Sequence, residues 1–135
     1  ASLIAVFEKV RNHYGINRTG QLGALAALDD QAYLAEAVNK IAAARDQIGA
    51  IARSNGLEPL PSAANFVTID CGRDGAYAKR VLDAVLERDV FIRKPGVSPL
   101  DRCIRISCGR EEDHVFLAEA LASALSDVRR TESAS

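Results

Sequence analysis

Two arginines stand in runs whose neighbours are otherwise aliphatic or aromatic. Arg93 lies in "VFIRK" (90–94) and Arg105 in "CIRISCG" (103–109). A guanidinium is planar and always charged. Its N–H groups form a rigid fork that meets a carboxylate or phosphate with two parallel hydrogen bonds. Side chains of a strand alternate faces, so Cys103, Arg105 and Ser107 share one face while Ile104, Ile106 and Cys108 share the other. In the earlier run Val90 and Ile92 point one way, Phe91 and Arg93 the other. Covering the aliphatic residues therefore leaves both arginines on the bare face. An unpaired buried guanidinium is costly, so each must meet solvent, an internal acid or an anionic ligand. Spacing alone leaves all three open.

Other chemistries find less support. Cys71, Cys103 and Cys108 are odd in number and lack CxxC spacing, and His13 and His114 lie far apart without flanking carboxylates. No metal site is expected from such a set, and the cysteines read as reduced thiols of a cytoplasmic protein. The formal charge is −1, with 17 Lys/Arg interspersed among 18 Asp/Glu, which argues against the basic stripe of a nucleic-acid binder. No apolar run approaches the ~18 residues of a membrane span. The opening "ASLIAVFEKVRNHYG" is too interrupted by charge for a signal peptide.

The elements that must position the arginines follow from periodicity. Residues 2–10 read as the end of a helix, 11–20 as a loop, and "QLGALAAL" (21–28) as a short helix suited to close packing. A long helix follows, capped by Asp29 or Asp30, with Leu34, Val38, Ile41, Ile48, Ile51 and Ala52 forming an apolar stripe. Asn55-Gly56 supplies its stop. About 25 residues at 1.5 Å each give ~37 Å, a length suited to a connector. Beyond "LEPLPSAA", a turn or edge segment, the pattern predicts a strand at 65–72 and a helix at 74–89 with Tyr77, Val81, Leu82 and Val85 inward. Strands at 90–94 and 103–108 come next. The last helix starts near Glu111 and Glu112 and carries Val115, Leu117, Leu121, Leu125 and Val128 before a tail, "RRTESAS", that should fray. The fold class is α+β: a small antiparallel or mixed sheet covered by helices on one face, preceded by a long connector helix.

Four segments, in order, carry a resemblance. "KVRNHYGINRTGQLGALAALDDQAYL" (9–34) looks like the stretch that follows the coenzyme lysine in histidinol-phosphate aminotransferases and their relatives. "PSAANFVTID" (61–70) is similar to that family's "P-S-x-A-N-F" strand, and "LERDVFIRKPG" (86–96) resembles its "L-x-x-x-G-V-x-V-R-P" segment. "CIRISCGREED" (103–113) resembles its "L-R-I-S-x-G-x-x-x-E" strand and helix start. The family often has an aromatic-Asn pair where Tyr14-Gly15 stands, Gly where Asp89 stands, Pro where Lys94 stands, and Gly-Thr where Gly109-Arg110 stands.

The resemblance implies the C-terminal part of a fold-type I, pyridoxal 5'-phosphate-dependent aminotransferase that works as a cytoplasmic homodimer on amino-acid and 2-oxo-acid substrates. Residues 1–28 are then the end of the large-domain portion, 29–56 the connector helix, and 57–135 the small domain. It implies that Arg105 binds the substrate α-carboxylate, that Arg93 helps hold its distal group, and that Asn65 borders the same cleft. Tyr14 and Asn17 look like the family's element near the neighbouring subunit's site. The Schiff-base lysine, the phosphate cradle and the aspartate that pairs the pyridine nitrogen are expected upstream of Ala1, so this chain alone should lack catalytic residues. A competing expectation is a non-catalytic amino-acid-binding regulatory module, in which Arg105 still grips a carboxylate but no coenzyme takes part. A third is a purely structural or oligomerisation domain.

Overall fold

The computed structural model describes residues 15–133 together with 4, 6, 7 and 9. The chain divides into two compact units, residues 1–37 and 38–135. In the first, the described residues 4, 6, 7 and 9 are helical, and α1 runs Arg18–Asp29. Asn17 caps α1, its Oδ1 accepting the Gly20 N–H at 2.7 Å. That cap draws Arg18–Gly20 into the helix and corrects the expectation of a loop up to residue 20. No residue of α1 is buried.

Helix α2, Gln31–Ser54, starts at Asp30, whose Oδ1 accepts the Tyr33 N–H at 2.9 Å. Its apolar stripe is covered only in the second half: Ile48 and Ala52 are fully buried, whereas Leu34 and Val38 are exposed. Gly56, at φ 75°, takes the left-handed position that ends the helix. The Gly56 and Leu57 N–H groups return to the Arg53 and Ala52 carbonyls, both at 3.0 Å, and Leu57 turns into the core.

The second unit is built on a three-stranded antiparallel sheet in the order β1 (Glu58–Pro59), β2 (Phe66–Asp70), β3 (Cys103–Ser107). Helix α3, Gly75–Leu86, connects β2 toward β3, and α4, Glu111–Ser133, follows β3. Asp74 Oδ1 caps α3 through the Tyr77 N–H at 2.8 Å. Val67 and Ile69 of β2 and Ile104 and Ile106 of β3 are buried against α2, α3 and α4, whose inward residues include Ile48, Val81, Val85, Leu121 and Leu125. Each such aliphatic side chain contributes about 1.5–3 kcal/mol relative to staying in water. Tyr77, Val81 and Val85 are buried as the periodicity requires and Leu82 is half-buried, while Val115 is exposed.

Two expectations need correction. "VFIRK" is not a strand; it forms one isolated bridge, Arg93 to Arg105. Asp89 makes a left-handed turn at φ 59° just before it, and Pro95, without an N–H, follows Lys94, so only one residue pair fits between. The tail does not fray at Arg129: α4 continues to Ser133. Glu132 pairs with both Arg73 and Arg80 across from α3, and Arg129 Nη2 donates to the Asn55 carbonyl at 2.9 Å. Arg73 and Arg80 also lie over the Tyr77 ring, at 5.0 and 5.5 Å from its centroid.

Candidate functional site

Arg93 and Arg105 face each other directly. The Arg93 N–H donates to the Arg105 carbonyl at 3.0 Å and the Arg105 N–H to the Arg93 carbonyl at 2.6 Å. Residues that exchange both bonds in an antiparallel pair project their side chains from the same face. On the other side, Arg105 is registered with Thr68, and Ser107 with Phe66. Phe66, Thr68, Arg105 and Arg93 therefore share the face opposite Val67, Ile69, Ile104 and Ile106.

Arg105 is half-buried, and its guanidinium carbon lies 4.7 Å from the centre of the Phe66 ring. Stacking on an aromatic occupies the flat of a guanidinium and leaves its N–H edge free for a planar partner. Among the described residues no carboxylate pairs with Arg105 or Arg93. The acid nearest in register on that face is Asp70, opposite Cys103, and it is already held by Arg102 Nε at 2.8 Å and the Gly72 N–H at 2.7 Å. Burial pulls the Asp70 carboxyl upward, but those donors outweigh it and hold the group below the usual carboxylate range. Asp70 is thus engaged by Arg102 and not by Arg105.

The remaining sequence candidates divide. Asn65 is exposed in the bend before β2, and its carbonyl accepts the Cys108 N–H at 2.9 Å, tying the start of β2 to the end of β3. Asn17 serves as the α1 cap in the other unit. Tyr14 lies outside the described residues. All three cysteines are free; burial, with the charges of Cys103 and Asp70 behind it, pushes the Cys71 thiol up to about 11. Among the described residues no group of three His, Cys, Asp or Glu could hold a metal ion, and no helix is long and apolar enough to cross a membrane. Sequence reasoning missed Phe66 as the platform and Arg102 as the group that occupies Asp70. Phe66 was recoverable, since it sits two residues from Thr68 on the alternating face.

Comparison with known proteins shows the family of the chain. The family model for aminotransferase class I and II matches residues 1–121. This chain belongs to that family. It is 38% identical over 120 residues to the histidinol-phosphate aminotransferase of Geotalea uraniireducens (strain Rf4), which covers 88% of this chain and 34% of that one. The enzyme of the same name from Bacillus subtilis (strain 168) is 34% identical, covering 92% of this chain and 34% of its own length. Among solved structures, the histidinol-phosphate aminotransferase of Sinorhizobium meliloti, in complex with pyridoxal-5'-phosphate, superposes with a TM-score of 0.82 at 48% identity. The match covers 91% of this chain and 34% of that one. The chain spans about a third of the length of the relatives it matches.

Proposed function

We propose that this chain is the C-terminal part of a pyridoxal 5'-phosphate-dependent aminotransferase that moves an amino group between a donor, an amino acid or the amino-alcohol phosphate histidinol phosphate, and a 2-oxo acid. Residues 1–28 belong to its large domain, 29–56 form the connector, and 57–135 form its small domain. The observation that carries the reading is the Arg93–Arg105 pair on a bare sheet face, with the nearest acid on that face already occupied. Membership of the aminotransferase class I and II family supports an amino-group donor as the ligand of the pair.

In this reading Arg105 receives the two oxygens of the α-carboxylate on its free N–H edge, with Phe66 fixing the plane of the guanidinium. A clamp of that kind sets the orientation of the reacting carbon and removes rotational freedom before chemistry begins. Arg93, one bridge away, takes the distal anionic group, and Asn65 lines the approach. Both guanidiniums also draw an anionic substrate toward the face.

The coenzyme supplies an electron sink for amino-group exchange. The lysines present do not fit its covalent anchoring: none of Lys9, Lys40, Lys79 and Lys94 has the serine three residues earlier that the family's Ser-x-x-Lys context requires, and Lys79 is engaged by Asp83 at 2.6 Å. We assign the Schiff-base lysine and phosphate cradle to residues outside this chain. A cytoplasmic homodimer, with Tyr14 and Asn17 near the neighbouring subunit's site, completes the proposal.

The test is a transamination assay of the complete protein. Histidinol phosphate with a 2-oxo acid should turn over, and Arg93→Ala should raise KM for an amino acid with a distal carboxylate by tenfold or more while changing one with a neutral side chain far less. Equal losses on both substrates would remove Arg93 from the distal site.

A further inference from the structure

A second pair of arginines lies on the covered side of the sheet. Arg45 and Arg53 of α2 border a cleft of about 260 Å³ closed on its far wall by Pro59, Leu60, Pro61 and Ser62, with Val67 at its floor. Val67 belongs to the face opposite Arg105. From this cleft we infer a binding site for a small oxyanion, a phosphate or a carboxylate, gripped by Arg45 and Arg53.

The helix itself builds the site. Arg45 and Arg53 are eight residues apart, about 12 Å along the axis, too far for one small ion to bridge if both side chains projected straight out. Arg53 folds back over Gly49 instead, and a Cβ at Gly49 would lie 3.2 Å from Arg53 Nη2 and 3.6 Å from Nη1. The guanidinium lies over this glycine, one turn toward Arg45, in the direction helical side chains lean. Arg45 is half-buried and spends only Nη1, which donates to the Ala64 carbonyl at 3.0 Å. Its other N–H groups remain for a ligand.

The local charges leave the pair unsatisfied. No acid stands three or four residues from either arginine on α2, where helical ion pairs form. Among the described residues neither guanidinium meets a carboxylate. Ser62 does not compete, because its hydroxyl donates to the Phe66 carbonyl at 2.6 Å and accepts the Ala64 N–H at 3.1 Å. Asp46 borders the cleft and opposes an anion, leaving two positive groups against one negative. A single phosphate or carboxylate group fits the volume and the two planar forks.

The experiment is a titration of the complete protein with inorganic phosphate, and separately with citrate, at fixed ionic strength held with chloride. The Arg105→Ala background, made together with Arg93→Ala, removes both guanidiniums of the other face. Saturable binding of either anion should persist in this background, weaken at least tenfold when Arg53→Ala is added, and tighten several-fold with Asp46→Asn. Phosphate-only or citrate-only saturation identifies which oxyanion the site takes. Arg53 makes no hydrogen bond that the fold depends on, so Arg53→Ala should keep the parent's unfolding midpoint in chloride. Binding that disappears in the double-alanine background but survives Arg53→Ala, or saturation by neither anion, would overturn the inference.

Discussion

Arg93 and Arg105 are locked to each other through their backbones, exchanging N–H···O bonds of 3.0 and 2.6 Å, so the two guanidinium groups must leave the sheet side by side. Like charges directly opposed across a pair of strands are unfavourable by up to about 1 kcal/mol. The arrangement makes physical sense when an anion comes between them. Its setting is equally particular: Phe66 lies against Arg105, and the nearest acid in register on that face, Asp70, is paired with Arg102.

The Asp70–Arg102 pair gives this setting a pH signature. Because the folded state holds the Asp70 carboxyl below its ordinary value, the pair contributes stability above the unfolded-state pKa of about 3.9 and loses it as pH falls below that value. Both groups are partly solvated, so water screens the pair and the contribution is small. Asp70→Asn should lower the urea midpoint at pH 7, and the gap from the parent should narrow progressively as pH falls below about 3.9. A gap that persists unchanged at pH 3 would mean that the charge of Asp70 is not what stabilises the turn.

Glu132 anchors the end of α4. Its carboxylate bridges Arg73 and Arg80, which both lie over Tyr77. Glu132→Ala should cost about 1 kcal/mol and speed amide exchange in residues 129–133 at least tenfold, while the β2 and β3 amides change only with global stability. Unchanged exchange in the last turn would show that the clamp contributes nothing.

Much of this architecture was legible from residue order. The alternation in "CIRIS" placed Arg105 opposite Ile104 and Ile106 because the period of a strand is two whatever its partners are. Asp30 and Gly56 marked the ends of the long helix for local reasons: a side-chain acceptor for free N–H groups, and a residue that tolerates positive φ. What local reading missed depends on distant partners. The persistence of α4 to Ser133 rests on Arg73 and Arg80, more than fifty residues earlier, and a polar run carries no mark of such a contact. The reduction of 90–94 to one bridge follows from the turn at Asp89 and from Pro95, two flanking constraints that the apolar pattern of the run itself does not reveal. Alternation puts Phe66 on one face of β2, but its place beside Arg105 depends on the register of β2 against β3.

Asp89 occupies a position that suits glycine. It sits at φ 59° after α3, where the Val90 N–H returns to the Val85 carbonyl at 3.4 Å and the Asp89 N–H to Leu86 at 3.0 Å. Aspartate tolerates the left-handed region better than most residues but still at a cost of about 0.5–1 kcal/mol. Asp89→Gly should raise the urea midpoint with an unchanged slope, and Asp89→Val should lower it by more than the glycine raises it. The reverse order would contradict the assigned backbone conformation.

The central claim is that Arg105 grips the carboxylate of an incoming amino acid. The most direct measurement is kcat/KM of the complete protein for its amino donor in the parent, Arg105→Lys and Arg105→Ala. Losing a charged, partly desolvated fork removes about 2–4 kcal/mol, so Arg105→Ala should fall roughly 30- to 1,000-fold, with KM rising strongly. Arg105→Lys, which keeps the charge but not the two parallel bonds, should fall in between. Arg105→Ala kinetics equal to the parent's would contradict the assignment.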